Sequence, residues 1–587
     1  MPPCRSIWRV LLVVALALPP GARAAVLHVA PAGKSGAPGT AEAPLASVQA
    51  ALDRAKAGDT VHVAPGVYRE RVAFKAGGEF GQPVTLEGEP GAVLDGSEPV
   101  TLDWQPAPDV APGAYRARVA FPVFTVVAEG RIVTMLREDR VRPGKAGLEP
   151  EWEWPNIFKH GVGPSGWEGV KALALYRKGS KELLVRFRGD LDPRRLAISV
   201  APKEPCVWIG GASRCVVRGL TLRNAAYGVL VTNSLGSVVE QCVIGPADYG
   251  VWLEQGADRC TVRGNEIFMN PYAGADPQAP GAWDNWLAHK SGGYYDRYGV
   301  QIAMSLGGHE VHDNFIHDHW DGIEDRGDAG QSRGLRIHHN RILCVSDDGL
   351  EPNGAEIDCR WHDNLVEHAR CGFRIKSPQV GPLYAYRNIF FDNNEDFRNY
   401  GEVEPQPAIV YVYHNTCTAK PAIESNKVLG IGTPNYHYYN NLFWCAYWWG
   451  NSGHSVEPNW QGDGNVYVRR DQDSHWETTR ALAAQRSLDA HSLWTNGSPG
   501  FVDFAARDVS LQTNSPALHR GIDLSKLVDP PWPGCEPGYF SGPAPDAGAV
   551  PLGQPMPRAP RTGREVYDPP AGVWPAPDPV VAPSAAR

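Results

Sequence analysis

The sequence carries no excess of basic residues. Its 56 Lys and Arg stand against 65 Asp and Glu, a net charge of −9 with a pI near 6.1. That balance excludes the electrostatic footprint of a nucleic-acid partner. There is no CxxC pair. The eleven cysteines show no metal-ligand spacing, which leaves buried coil residues, or a few disulfides in an exported chain. After the first residues no apolar run is long enough to span a bilayer. The apolar run Val10 to Leu18 follows Arg5 and Arg9 and precedes Ala22-Arg23-Ala24. This is the pattern of a cleaved secretory leader, so residues 1–24 predict export, secreted or periplasmic, with no membrane attachment afterwards.

What is present is turn chemistry and repetition. The 63 Gly and 52 Pro suit a turn-rich β protein, and 19 Trp with 21 Tyr exceed what its core needs; flat aromatic faces suit sugar rings. Tyr227-Gly228-Val229-Leu230, Tyr249-Gly250-Val251-Trp252, Tyr298-Gly299-Val300-Gln301, Asp321-Gly322-Ile323-Glu324, Asp348-Gly349-Leu350-Glu351 and Cys371-Gly372-Phe373-Arg374 share one frame. Their glycines recur at intervals of 22, 49, 23, 27 and 23 residues. A period in the twenties marks a solenoid, in which equivalent positions of successive coils stack in columns. A second column, Leu220, Cys242, Asn265, Asn314, Asn340, Asn364, Asn388, Asn415 and Asn441, has the same period and the same 49-residue step. That step places an insertion at about 271–296. Asn tolerates the left-handed backbone of a sharp turn, and its amide can bond to the Asn one coil away. An asparagine ladder of this kind resembles that of right-handed parallel β-helices, and the fold class expected is all-β.

Residues 25–99 read as an N-terminal cap and first coils, with a short amphipathic helix in Ala43 to Leu52 covering the open end. The stretch Gly58 to Tyr68 resembles the N-terminal entry of secreted pectate-lyase-like β-helix proteins. Residues 100–203 break the period and read as an inserted β-rich region. The coils resume over 204–470. Residues 471–550 form a C-terminal cap with a helix over Thr478 to Ser487, and 551–587, rich in Pro and Ala, read as a disordered tail.

The columns then yield chemistry. Alternate strand residues face opposite sides, so the second and fourth positions after each repeat glycine point outward. The second positions read Leu230, Trp252, Gln301, Glu324, Glu351, Arg374; the fourth read Thr232, Glu254, Ala303, Arg326, Asn353, Lys376. With coils ~4.8 Å apart, Glu324, Glu351 and Arg374 form a row. Asp321, Asp347 and Asp348 join it from the turn before the glycine. So many carboxylates call for compensation, by calcium with its oxygen ligands or by Arg326, Arg374 and Lys376. Asp325 occupies an inward position, which implies either a bent strand or pairing with Arg326 or a histidine. His312, His338 and His362 form a column that continues as Tyr386, Tyr413 and Tyr439, the pattern of stacking rather than of zinc. His319, with His317, lies near the acidic row and reads as a substrate contact or proton donor. Trp283 and Trp286 in the insertion read as a sugar-stacking wall beside Trp252.

Asp347-Asp348-Gly349-Leu350-Glu351, with Asp321 one coil earlier, resembles the calcium site of family 9 pectate lyases. There the next coil carries Gly-Phe-Lys with Lys as catalytic base, where this chain has Gly372-Phe373-Arg374. The resemblance implies calcium held by Asp321, Asp347, Asp348 and Glu351, and a base at Arg374 or Lys376. Glu324, Arg326, Trp252, Trp283, Trp286 and His319 are the expected substrate contacts. Arg374-Ile375-Lys376 and Asp347-Asp348 also resemble polygalacturonases, but the Gly-His-Gly coil of those hydrolases is missing. The expectation is a monomeric, calcium-assisted lyase acting on a uronic-acid-containing polysaccharide by β-elimination. The alternatives are a glycoside hydrolase using paired carboxylates, a C5-epimerase, and a non-catalytic carbohydrate-binding β-helix.

Overall fold

The computed structural model describes residues 24–138, 154–161, 167, 172–269, 296–326, 331–376, 380–393, 395–400, 408–418, 435–445, 461–470 and 476–557. Three parallel sheets run the length of a solenoid: two of 13 strands and one of nine. A single coil shows the path. Asp321–Arg326 lies in the nine-stranded sheet, Arg336–His338 and Arg341–Leu343 in the two larger ones, and Asp348–Pro352 returns to the first. Side chains that alternate inward along these strands form one continuous apolar core from Val29 to Leu488.

The repeat glycines are set by packing. A Cβ at Gly322 would strike the carbonyl oxygen of Gly349, and one at Gly349 would lie 2.8 Å from the carbonyl oxygen of Gly372. The sheet therefore bends sharply at this column with each coil resting on the next, and only glycine leaves room.

The asparagine column forms a continuous chain. Asn364 Oδ1 accepts from Asn340 N and Nδ2 at 3.1 and 3.0 Å, and Asn364 Nδ2 donates to Ile337 O at 2.9 Å and Asn388 Oδ1 at 3.0 Å. The ladder reaches one coil beyond Asn441, to Asn465. The left-handed backbone falls on the residue before each rung, Asp313, His339, Asp363, Arg387, His414 and Asn440. The amide is thus selected for its hydrogen bonds, not for φ.

The first coils stack directly on the later ones: Val84–Gly88 pairs with Cys215–Arg218, and Val72–Ala73 with Pro205–Gly210. The chain between leaves and returns. It forms a five-stranded, mainly antiparallel sheet and a three-stranded one over their own apolar cores. This region meets the solenoid where Phe124 packs with Tyr227, Tyr249 and Tyr298, and where Thr125 Oγ1 donates to the buried Asp248.

The N-terminal helix is shorter than the sequence suggests, Val48–Leu52. Ser47 caps it, and the Glu70 carboxylate accepts from Ser47 Oγ, Val48 N and Gln49 N at 2.7, 3.1 and 3.1 Å. Pro44 and that cap place the helix start later. The C-terminal helix is Trp476–Gln485. Nine cysteines, those at 206, 215, 242, 260, 344, 359, 371, 417 and 535, are buried and free of disulfides. No helix among the described residues is long and apolar enough to cross a membrane. Residues 1–23, 558–587 and 270–295, and with them Trp283 and Trp286, lie outside the described residues.

Replacing Asn364 by Ala strands the amide of Asn340 and the carbonyl of Ile337 in the core. The expected loss is about 2–4 kcal/mol, read as a lowered thermal midpoint by calorimetry. An unchanged midpoint would mean that the ladder does not hold the turn.

Candidate active site

The nine-stranded sheet carries the acidic row. Its register stacks Trp208, Leu230, Trp252, Gln301, Glu324 and Glu351 in one outward column. The pairing Leu350↔Phe373 then sets Arg374 beside Glu351. Asp321 follows Tyr298 in the column before the glycine. Its Oδ1 accepts from Asp348 N at 2.8 Å, so it reaches across to the next coil.

Asp321, Asp348 and Glu351 each turn one oxygen into a shared space, all within 4.8 Å of one another. Each is at most 3% exposed. Calcium–oxygen bonds of about 2.3–2.6 Å put two ligands of one ion no more than about 5.2 Å apart, so the three fit a hard divalent cation. Asp348 Oδ1 is buried with no hydrogen-bond partner, as a carboxylate reserved for an ion would be. Asp347 stays outside this trio, with Arg370 Nε 3.9 Å from its Oδ1.

Arg374 is the cation in contact. Its Nη1 lies 2.6 Å from Asp348 Oδ2 and 3.6 Å from Glu351 Oε1. Burial disfavours its charge, but Asp348, Glu351 and Asp347 together outweigh that and push its pKa above the ordinary value. Without an ion in the site, the surrounding carboxylates favour the charged guanidinium, which suits Arg374 to binding an anion more than to removing a proton. The acids move the other way. Burial first, then Glu351, Asp347 and Asp348, raise Asp321 well above the carboxylate range. Burial pushes Asp348 up to about 7, against the pull of Arg374.

The remaining expected residues divide. Glu324 sits in the row but is clamped by neutral amides, Gln301 Nε2 at 2.6 Å and Asn353 Nδ2 at 2.9 Å. Arg326 is exposed at the strand end, its pKa raised chiefly by Glu324. Trp252 is half-buried against Tyr227 and Tyr249, ring centroids 5.3 and 5.0 Å away. Lys376 ends its strand, and its side chain lies outside the described residues. His319 is a correction: it is 2% exposed, its Nδ1 accepts from Trp320 N at 3.0 Å, and burial pushes its pKa down to about 3. It is a neutral packing residue rather than a substrate contact. Asp325 pairs with neither Arg326 nor a histidine. It is buried against the carboxyl of Glu356, which raises its pKa after burial itself.

One further coil belongs to the site. Glu395–Tyr400 pairs with Cys371–Lys376 and sets Arg398 in register with Arg374. The sequence signal is Glu395-Asp396-Phe397-Arg398, 24 residues after Cys371-Gly372-Phe373-Arg374; Asp396 in the glycine position hides it.

Asp348 keeps its proton in the folded protein at pH values where an unfolded Asp has lost it. The folded state therefore binds more protons between about pH 4 and about pH 7, and metal-free stability falls as pH rises through that window. Asp348→Asn flattens that slope in calorimetric scans; an identical slope in the variant would contradict the burial of this charge. Asp348→Ala, by contrast, leaves Arg374 half-buried beside a void and is expected to destabilise the coil.

Residues 205–377 match a family model described as right handed beta helix region. A pectate lyase, PEL9 of Emericella nidulans, is 36% identical over 108 residues, 17% of this chain; the chain spans only 25% of that relative's length. Among solved structures, the complex of XylC with xylose covers 81% of this chain and 87% of its own, at 14% identity and a TM-score of 0.46. Pectate lyase Pel9A covers 90% and 96%, at 14% identity and a TM-score of 0.36. Those two scores are too low to carry chemistry. The coil topology and the family match over residues 205–377 together show that the chain has the fold of a right-handed parallel β-helix.

Proposed function

We propose that this protein is an exported polysaccharide lyase that cleaves a uronic-acid-containing chain by β-elimination, assisted by calcium. The observation that carries the reading is the buried trio Asp321, Asp348 and Glu351, with its ligand oxygens within 4.8 Å and Asp348 Oδ1 unpartnered. The short match to a pectate lyase supports the substrate class.

Asp321, Asp348 and Glu351 would hold the ion. Bound there, calcium would neutralise the uronate carboxylate and acidify its C5 proton. The chain's own residues supply the rest. Arg374 and, one coil on, Arg398 line the same outward column and offer planar forks to uronate carboxylates. Arg326 offers a third at the other end. With Arg374 held charged, proton removal falls to Lys376, two residues along the same strand. The base takes the C5 proton, the C4–O bond breaks as a C4=C5 double bond forms, and the departing oxygen gains a proton from water. A hydrolase using paired carboxylates fits less well. A glycosidase needs room for a water or a glycosyl intermediate between its two carboxyls, whereas Asp321, Asp348 and Glu351 each turn an oxygen into one shared space with Arg374 bonded to Asp348.

The test is a screen of polygalacturonate, alginate and other uronate polymers with calcium or a chelator, following ultraviolet absorbance of the unsaturated product alongside reducing ends. Absorbance that rises only with calcium is expected. Reducing ends without it would mean a hydrolase, and full turnover under chelator would remove the metal. Lys376→Ala is expected to cut turnover by about 10²–10⁴-fold with the calcium-induced rise in thermal midpoint retained. Arg374→Ala is expected to act mainly through KM.

A further inference from the structure

The outward column that ends in the acids begins with an aromatic ring. Trp208 is 45% exposed, although its neighbours Val207 and Ile209 are fully buried. Its indole is fixed from two sides. Nε1 donates to Thr232 Oγ1 of the next coil at 3.1 Å. The ring also lies across the backbone of Gly210, where a Cβ would come 2.7 Å from Nε1 and nearer still to the six-membered ring. An exposed tryptophan normally keeps its rotamer freedom; this one is seated on a glycine and tied to a threonine while nearly half of it stays exposed. Leu230 and Trp252 continue the column toward Gln301, Glu324 and Glu351.

We propose that Trp208 is a sugar-stacking platform that holds the distal part of a long polysaccharide chain lying along this sheet. The proposal rests on the polysaccharide reading of the same face. Five coil steps separate Trp208 from Glu351, about 24 Å at ~4.8 Å per coil. An extended glycan advances by roughly one sugar per coil, so the platform meets a ring about five residues from the acids. A flat apolar face contacts the axial C–H side of a pyranose, leaving the hydroxyls to water. Short oligomers bound at the acids do not reach it. The platform thus sets a preference for chain length and is indifferent to the chemistry at the trio.

Calorimetric titration of galacturonic-acid oligomers of about three and about eight residues tests this. Trp208→Ala is expected to weaken the long oligomer about tenfold, the size of one aromatic contact, and to leave the short one unchanged. Gly210→Ala, which keeps the tryptophan but pushes its ring off its seat, is expected to show the same length-dependent loss. Equal affinities in both variants and the wild type would overturn the platform, as would a matching loss for both oligomers. Wild-type protein that binds neither oligomer, nor alginate nor polygalacturonate, would instead overturn the polysaccharide reading and the platform with it.

Discussion

Hydrogen-bonded parallel strands can approach only to about 4.8 Å, and almost everything in this protein follows from repeating that distance. It brings each asparagine within reach of the next, so that Asn265 to Asn465 form one chain of buried amides. It forbids a Cβ wherever one coil's bend rests on the next carbonyl, and so imposes the glycine column. The same distance forces Glu324 opposite Glu351. A side-chain pair at this separation that would stabilise a sheet when apolar is destabilising when both members carry the same charge. The site is the place where the solenoid accepts that conflict.

The parts of the fold legible in the sequence are those the spacing dictates directly. Glycine and asparagine columns are visible because steric exclusion and amide pairing each admit essentially one residue type. The parts that were hidden are those decided by depth or by contacts off the columns. Burial of His319 depends on how turns close over the sheet, which no periodicity encodes, and the inward Asp325 could be read from the alternation but its partner could not. Glu356, the partner of Asp325, lies in a turn 31 residues later with no counterpart in other coils. The strand Glu395–Tyr400 was missed because Asp396 replaces the glycine, a replacement tolerated where no further strand of that sheet follows among the described residues. Of the candidate site, the convergence of Asp321, Asp348, Glu351 and Arg374 could be read from the frame. The clamping of Glu324 by Gln301 and Asn353, and the charge locked onto Arg374, could not, because they depend on side-chain reach.

Two groups of buried acids in adjacent coils resolve the same repulsion differently. Inside the solenoid Asp325 faces Glu356, and Trp361 Nε1 donates to Glu356 Oε2 at 3.2 Å. Burial comes first among the causes that shift Asp325 and Glu356, no cation figures among them, and both are raised, so the pair favours holding a proton. On the outer face Asp321, Asp348 and Glu351 have Arg374 in contact, yet Asp321 and Asp348 still sit above the usual carboxylate range. Arg374 at 2.6 Å from Asp348, with Arg370 and Arg398 also in the field of that carboxylate, thus still leaves the group short of positive charge. The deficit can be met by protons at low pH or by a divalent cation at neutral pH. The Arg374 side chain beside the outer group is 12% exposed. The core pair, inside the solenoid, is suited to holding a proton; the outer trio, with three ligand oxygens turned into one space on the sheet's outer face, is suited to holding a cation.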